Sequence, residues 1–128
     1  MRLGVPFPVV RGRMTNVLVV DDQEVIRDTL QTALDDEGFT VQCAANGREA
    51  LDILQHWEPC VILLDLMMPV MDGWTFRAEQ RRSGSTVPVV LLSAAGELER
   101  HKTALGAAAV IEKPFDLEHV ISAIEGVC

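Results

Sequence analysis

Residues 61–73 read VILLDLMMPVMDG, an apolar run that ends in an acid and then in a turn. Four bulky apolar residues in succession, 61–64, are typical of a strand buried on both faces of a parallel sheet. An acid at the carboxyl end of such a strand lies in the crevice where open α/β sheets bind ligands. Pro69 and Gly73 break the chain before the next helix. We therefore expect Asp65 to be a functional residue.

The same alternation of apolar run and helix recurs along the chain. Apolar runs predict strands at about residues 17–20, 40–44, 61–64, 87–92 and 109–111. Helical patterns lie near residues 24–37, 47–55, 74–82, 97–105 and 116–125. The third helix has the weakest pattern, because three arginines crowd it. Alternating strands and helices predict an α/β fold with a doubly wound parallel sheet and right-handed crossovers.

Length and composition indicate one globular domain with an acidic surface. The chain has 128 residues, of which 48% are hydrophobic and 23% are charged. The formal net charge of −8 disfavours contact with phosphate backbones, so we expect no direct binding of nucleic acid. Residues 1–13, interrupted by Pro6 and Pro8, are too short to span a membrane and are predicted to be a disordered extension. The folded domain is predicted at residues 14–128, with no membrane association.

The three cysteines, Cys43, Cys60 and Cys128, are odd in number and lack metal or redox spacing. Cys43 and Cys60 flank apolar stretches, so we interpret them as small buried hydrophobic residues. This usage predicts a reducing, cytoplasmic setting.

Two further acids follow the first predicted strand. Asp21 and Asp22 come directly after residues 17–20, and one acid would suffice to cap the next helix. Two adjacent acids facing Asp65 from a neighbouring strand end would form a like-charge cluster, which is costly without a counter-ion. Carboxylates, a backbone carbonyl and water are the ligands that Mg²⁺ prefers. The sequence therefore predicts a site for Mg²⁺, or for Mn²⁺ in its place.

A hydroxyl and an ammonium complete this edge of the predicted sheet. Ser93 follows residues 89–92, and Lys113 leaves the last strand just before Pro114. Taken alone, the serine is an ordinary helix cap and the lysine an ordinary surface charge. Beside Asp65, the hydroxyl can donate to an anionic oxygen, and the ammonium can pair with Asp65 at rest and with a phosphoryl group later. This set favours phosphoryl transfer, in which Asp65 attacks phosphorus in line and forms an acyl phosphate.

These residues resemble, in order, the signature of the receiver domains of bacterial two-component response regulators, over about residues 16–127. The matching elements are Asp21-Asp22, Asp65 with Met68-Pro69 and Met71-Asp72-Gly73, Ser93-Ala94, and Lys113-Pro114. The resemblance implies a flavodoxin-like (βα)5 fold, with a five-stranded parallel sheet of order 2-1-3-4-5. It also implies that a histidine kinase or phosphotransfer protein phosphorylates Asp65. The protein would then be a regulator that assists its own phosphorylation and dephosphorylation, and not an enzyme.

The resemblance further implies a ligand set and a route of output. Asp22, Asp65 and the backbone carbonyl of Met67 would hold Mg²⁺, with Asp21 acting mainly through water. The signal would pass by protein contact, through the surface around the fourth and fifth helices, to a downstream target or to an attached output domain. A homodimer through a helix face is left open.

The chain departs from the receiver pattern in two respects. Receivers usually carry an aromatic residue three positions before the lysine, where this chain has Val110. Because a β-branched valine has no comparable swing, we expect output to depend on residues 94–96 and the following helix. Met67 and Ala95, which flank the pocket in the family, offer no acid or amide to orient an attacking water. We therefore predict a persistent phosphoryl group.

Several alternatives stay open at this point. No effector domain follows the last predicted helix in this chain, so it is either a stand-alone receiver or one module of a longer regulator or hybrid kinase. A pseudo-receiver that binds without being phosphorylated is a second interpretation, and Val110 is its best support. An aspartyl-phosphate phosphatase would need a second acid where Met67 stands. A flavin module would meet a repulsive pair of acids, Asp21 and Asp22, after the first strand.

Overall fold

The computed structural model describes residues 15–94, 96 and 98–128. Five strands alternate with five helices, as the sequence predicts. The strands are β1 (Asn16–Val20), β2 (Thr40–Ala44), β3 (Val61–Asp65), β4 (Val89–Ala94) and β5 (Ala109–Lys113). The helices are α1 (Glu24–Asp36), α2 (Gly47–Leu54), α3 (Gly73–Arg82), α4 (Leu98–Leu105) and α5 (Leu117–Val127). The predicted extension at residues 1–13 lies outside the described residues.

All strand pairs are parallel, and the sheet order is β2-β1-β3-β4-β5, which confirms the order 2-1-3-4-5. Every residue of β3 is buried, as expected for a central strand covered on both faces. One apolar core lies between the sheet and α2, α3 and α4, where Phe76 and Leu105 are buried. A second core lies on the opposite face beneath α1 and α5, around Leu34 and Ile124. None of the helices in the described residues is long and apolar enough to cross a membrane.

Three strands extend further towards their carboxyl ends than the apolar runs predict. β3 includes Asp65, β4 includes Ser93 and Ala94, and β5 includes Lys113. The cause is the parallel ladder, in which Ser93 pairs with Glu112 and Ala94 pairs with Lys113. Backbone pairing with a neighbour thus carries the polar residues into the sheet. Conversely, β4 begins at Val89 and not at residue 87.

The third helix forms despite its arginines, for two reasons. Asp72 caps its first turn, since the Oδ1 atom accepts a 2.8 Å hydrogen bond from the Thr75 N–H. Arg77 is buried and donates outside the helix, to the backbone oxygens of Leu105 at 2.9 Å and Gly106 at 3.1 Å. The guanidinium therefore satisfies carbonyls at the end of α4 that have no partner within that helix.

The cysteine prediction is wrong for Cys60. Cys60 and Cys128 form a disulfide across a sequence separation of 68 residues, with their Cα atoms 5.4 Å apart. Cys60 immediately precedes β3 and Cys128 immediately follows α5, so the two meet only when α5 packs on the sheet. Cys43 is a free, half-buried thiol. The predicted reducing setting stays a prediction.

Candidate functional site

Three carboxylates meet at the carboxyl edge of the two central strands. Val20 of β1 pairs with Leu64 of β3, so Asp21 and Asp65, each the next residue, become neighbours. Oxygen atoms of Asp21, Asp22 and Asp65 all lie within 4.8 Å of one another. Asp21 and Asp65 are buried, whereas Asp22 is exposed. The cluster predicted from the strand ends is therefore present.

Asp21 is held by several fixed contacts. Its Oδ1 atom accepts a 2.9 Å hydrogen bond from the Gln23 N–H, and Gln23, not Asp21, is the residue that precedes α1 as its N-cap. Arg27 donates to the Asp21 backbone oxygen at 2.9 Å. The side chain is fully buried, at 0% exposure. The Asp21 side chain is thus held in place at one side of the cluster. It is not the N-cap of α1.

Lys113 reaches the cluster from the end of β5. Its Nζ atom lies 2.8 Å from Asp21 Oδ2, 3.7 Å from Asp65 Oδ1 and 3.4 Å from Gln23 Oε1. Its shortest contact is therefore with Asp21, and the expected pairing with Asp65 is the longer one. This arrangement leaves Asp65 only partly neutralised.

The environment of Asp65 raises its pKa from 3.8 to about 6. Burial is the main cause, since the carboxyl group loses water in the crevice, and the negative charge of Asp21 adds to it. The ammonium of Lys113 opposes this effect, as does a hydrogen bond from the Met67 backbone. A further positive charge in the cluster would favour the ionised, nucleophilic form of Asp65.

The loop after β3 is fixed by backbone contacts. The Gly73 N–H donates to the Leu66 oxygen at 2.9 Å, and a Cβ atom on Gly73 would lie 2.6 Å from the Asp65 backbone oxygen. Only glycine fits this close approach. Val70 has a positive φ of 68° and lies within a γ-turn closed by a 2.7 Å hydrogen bond from the Met71 N–H to the Pro69 oxygen. The rigid loop fixes both Asp65 and the Met67 backbone.

The remaining predicted positions surround this centre. Ser93 is half-buried on β4, one residue past Leu92, which pairs with Asp65. The Met67 side chain is 72% exposed. Val110 is half-buried and packs against the core formed with α2, α3 and α4. Ala95 lies outside the described residues.

Contacts between α3 and α4 were missed by the sequence analysis. The Trp74 and His101 rings meet edge to face, with centroids 5.5 Å apart and an interplanar angle of 78°. One turn further along, Arg77 and Arg81 both donate to the Leu105 oxygen. The spacing of residues 74, 77 and 81 on one helical face was the available signal, but it did not indicate which helix this face contacts.

Chemically, the site is a small anionic pocket with one ammonium at its side. Its donors are hard carboxylate oxygens, the type that divalent cations such as Mg²⁺ prefer, so the donor set fits such an ion. A family model for the response regulator receiver domain matches residues 17–125.

The chain belongs to the response regulator receiver family.

Curated relatives of this receiver domain include the regulatory protein AtoC of Escherichia coli, 39% identical over 109 residues, which are 84% of this chain and 24% of AtoC. The response regulator MprA of Mycolicibacterium vanbaalenii is 35% identical over 108 residues, 83% of this chain and 47% of MprA. The chain thus spans about a quarter of the length of AtoC and about half of the length of MprA.

Solved structures agree with this assignment. The chemotaxis protein CheY4 of Vibrio cholerae is 35% identical, with a TM-score of 0.81 over 90% of this chain and 99% of that one. The receiver domain of the Francisella response regulator 1452 is 29% identical, with a TM-score of 0.82 over 88% and 95% of the two chains. The molecule is therefore a receiver domain of two-component signalling, a family that is generally regulatory and not enzymatic.

Proposed function

We propose that this receiver domain accepts a phosphoryl group on Asp65 from the phosphohistidine of a histidine kinase or phosphotransfer protein. The observation that carries the proposal is the placement of Asp65 between two acids and an ammonium at one sheet edge. Its carboxylate would attack phosphorus while the donor imidazole leaves, which yields an acyl phosphate. The family match over residues 17–125 supports residues 14–128 as the domain that does this.

Asp22, Asp65 and the backbone carbonyl of Met67 would hold Mg²⁺, and Asp21 would act mainly through water. Bound there, the cation would neutralise negative charge on the phosphoryl oxygens. The described residues support this division, because Asp22 is exposed, whereas both Asp21 oxygens already accept hydrogen bonds.

Lys113 and Ser93 would recognise the transferred group. The Lys113 ammonium lies 3.7 Å from Asp65 Oδ1, so a small movement would bring it to an oxygen of a phosphoryl group bound there. The Ser93 hydroxyl lies on the adjacent strand and would donate to another of these oxygens. Each contact exists only after transfer, so together they would stabilise the phosphorylated state.

The mouth of the site suits a protein donor. Three large hydrophobic side chains in the described residues are strongly exposed: Val25 at 74%, Met67 at 72% and Val70 at 83%. They lie in the segments that follow β1 and β3, the two strands whose ends carry the acids. We infer that these side chains contact the phosphodonor, which must approach from this side to reach Asp65.

Output would proceed through α4. This helix follows Ser93 and Ala94 closely, and of its described side chains, 99–105, Leu105 alone is buried. The described side chains of this helix bury little apolar surface, which favours its displacement. Movement of Ser93 would therefore be transmitted to α4 and its Trp74 contact, and from there to a downstream target or attached output domain.

The first experiment is intact mass after incubation with acetyl phosphate and Mg²⁺. We expect a gain of about 80 Da, one phosphoryl group, that is removed by hydroxylamine and absent from Asp65→Asn. Asp52→Asn, an exposed acid on α2, is the matched control and should gain the same mass. No gain in the parent protein, with Mg²⁺ still bound, would contradict the proposal.

A protein that binds Mg²⁺ but gains no mass would favour the alternative of a pseudo-receiver that signals by binding alone. The specific observation behind it is Val110, half-buried against the core where receivers usually carry an aromatic switch. Its side chain has no rotamer that could follow Ser93 towards a phosphoryl group.

A further inference from the structure

The disulfide lies at the amino ends of the strands, and the acidic cluster lies at their carboxyl ends. Cys60 precedes the first residue of β3, and Asp65 is the last residue of the same strand. Five residues of extended chain separate them, which corresponds to about 16 Å. Chemistry at the disulfide therefore does not touch Asp65, and the role proposed for Asp65 does not explain the disulfide.

The two half-cystines differ in how firmly the rest of the fold holds them. The Cys60 N–H donates to the Asn16 oxygen at 2.7 Å, and its neighbours Pro59 and Val61 are buried. Cys128, by contrast, ends the last turn of α5, where its N–H donates to the Ile124 oxygen at 2.8 Å.

That last turn is largely exposed to solvent. Glu125 and Gly126 are exposed, and Val127 is only half-buried. Glycine and valine are also poor helix formers. Beside the packing of Ile124 and Val127, the covalent bond to Cys60 therefore attaches this end of α5 to the sheet.

Access to the bond is one-sided. Cys128 is exposed, while Cys60 is half-buried against the core beneath α1 and α5. An external thiolate would therefore reach the Cys128 sulfur first. The third cysteine, Cys43, lies on β2 at the far edge of the sheet, and burial raises the pKa of its thiol, which lowers its reactivity.

We propose that Cys60 and Cys128 form a reversible thiol–disulfide site whose redox state determines whether the C-terminal end of α5 is fastened to the sheet. In the reducing direction, a thiolate of a dithiol reductant attacks the Cys128 sulfur, the bond between the two cysteines breaks, and Cys60 leaves as a thiolate that takes up a proton. The second thiol of the reductant then attacks the mixed disulfide and releases Cys128. Two electrons pass from the reductant, which becomes a disulfide, and a disulfide oxidant such as oxidised glutathione reverses the reaction.

Reversibility is the form that fits the exposure of Cys128. Exposed disulfides are the labile, regulatory kind, because a thiolate can reach them. The consequence concerns α5, which begins four residues after Lys113 and ends at the disulfide. Reduction would free the end of α5 that lies far from the phosphoryl site and so alter the helix surface available to a partner.

The test uses the whole chain equilibrated anaerobically in glutathione buffers, from fully reduced to fully oxidised. Free thiols are trapped by alkylation and counted by intact mass. We expect three trapped thiols in the reduced buffer and one in the oxidised buffer, with Cys43 as the remaining one. Amide hydrogen exchange of residues 117–128 should be at least about tenfold faster in the reduced buffer.

Two variants make the result specific. Cys60→Ser should show the fast exchange of α5 in both buffers, while Cys43→Ser, the matched control, should keep the full redox response with one thiol fewer. Three trapped thiols in the oxidised buffer would overturn the proposal, as would a bond that survives the fully reduced buffer as a permanent cross-link. Equal exchange of residues 117–128 in both buffers would overturn the conformational part. Both readouts come from the parent protein, so poor folding of a variant does not affect them, and neither depends on phosphorylation of Asp65.

Discussion

The ammonium of Lys113 lies 2.8 Å from the buried carboxylate of Asp21, a residue 92 positions earlier in the chain. The pair joins β5 to the end of β1, across two intervening strands of the sheet. Because Asp21 is fully buried and also accepts the Gln23 N–H, it depends on Lys113 to compensate its charge. The Lys113 ammonium thus mainly compensates the charge of Asp21, and Asp65 is left with the weaker contact.

Replacing Lys113 with methionine should destabilise the domain by about 3 kcal/mol, since it leaves a buried carboxylate without its partner. Urea denaturation in the absence of Mg²⁺ measures this change. Lys102→Met, the chain's other lysine, is the control and should have a small effect. The double variant Lys113→Met/Asp21→Asn should recover part of the loss. Equal stability of the Lys113 variant and the parent would show that the pair contributes nothing.

Stability of the metal-free protein should fall as pH rises from about 4 to 6. The folded-state pKa of Asp65, about 6, is above its unfolded value of 3.8, so the folded state holds the proton more tightly. The stability that this proton contributes is complete below pH 3.8 and is lost as pH rises through about 6. Across that interval the change is roughly 3 kcal/mol.

The variant Asp65→Asn isolates this effect, because it removes the titrating group and keeps its shape. Urea denaturation from pH 3.5 to 7.5 in a chelator should show the variant more stable than the parent near neutral pH, with the difference vanishing towards pH 4. Asp52→Asn should follow the parent. Parallel curves for parent and Asp65→Asn would contradict the raised pKa.

Arg77 should be essential for stability although it lies outside the acidic cluster. Arg77→Met would leave the Gly106 oxygen and the Gln80 side-chain oxygen without their donor and would remove one of the two donors to the Leu105 oxygen, at a cost of about 3 kcal/mol. Arg82→Met, which breaks only an exposed pair with Glu79, should change stability by less than about 0.5 kcal/mol. Denaturant unfolding compares the two, and hydrogen exchange should increase at the end of α4 in the first variant alone.

The lifetime of the phosphoryl group should shorten when an amide and an acid are placed beside the pocket. Met67→Asn combined with Ala95→Glu should speed its loss by about tenfold or more, since the new groups can orient the attacking water. Val70→Asn puts the same amide in the same loop and is tolerated at a positive φ, so it serves as the control. The measurement is the loss over time of the adduct of about 80 Da, which is one phosphoryl group. A double variant that retains the group as long as the parent would contradict the hypothesis.

Trp74 should report the movement of α4. In a Trp57→Phe background it is the remaining tryptophan of the chain, and its ring contacts His101 of α4. Phosphorylation should change its fluorescence, and His101→Leu should reduce that change. An emission spectrum that acetyl phosphate and Mg²⁺ leave unaltered, in protein whose mass shows the adduct, would rule out α4 displacement at this contact.

The order of elements and the identity of the site residues could be predicted because both depend on local patterns. Apolar runs mark strands, and a polar residue directly after such a run lies at the carboxyl edge of a parallel sheet. This reasoning placed Asp21, Asp65, Ser93 and Lys113 at one edge, where the structure has them. The predicted strand ends differ from the observed ones by at most two residues, mainly because pairing with a neighbouring strand extends a strand past its apolar run.

The sequence by itself determined the α/β alternation, the edge at which the acids lie and the family resemblance, since each of these is written in adjacent residues. Only the tertiary structure decided which carboxylate Lys113 contacts, why Arg77 is buried and that Cys60 meets Cys128. These contacts join residues separated by 92, 28 and 68 positions. No local pattern specifies such partners, because they depend on how the helices pack on the two faces of the sheet.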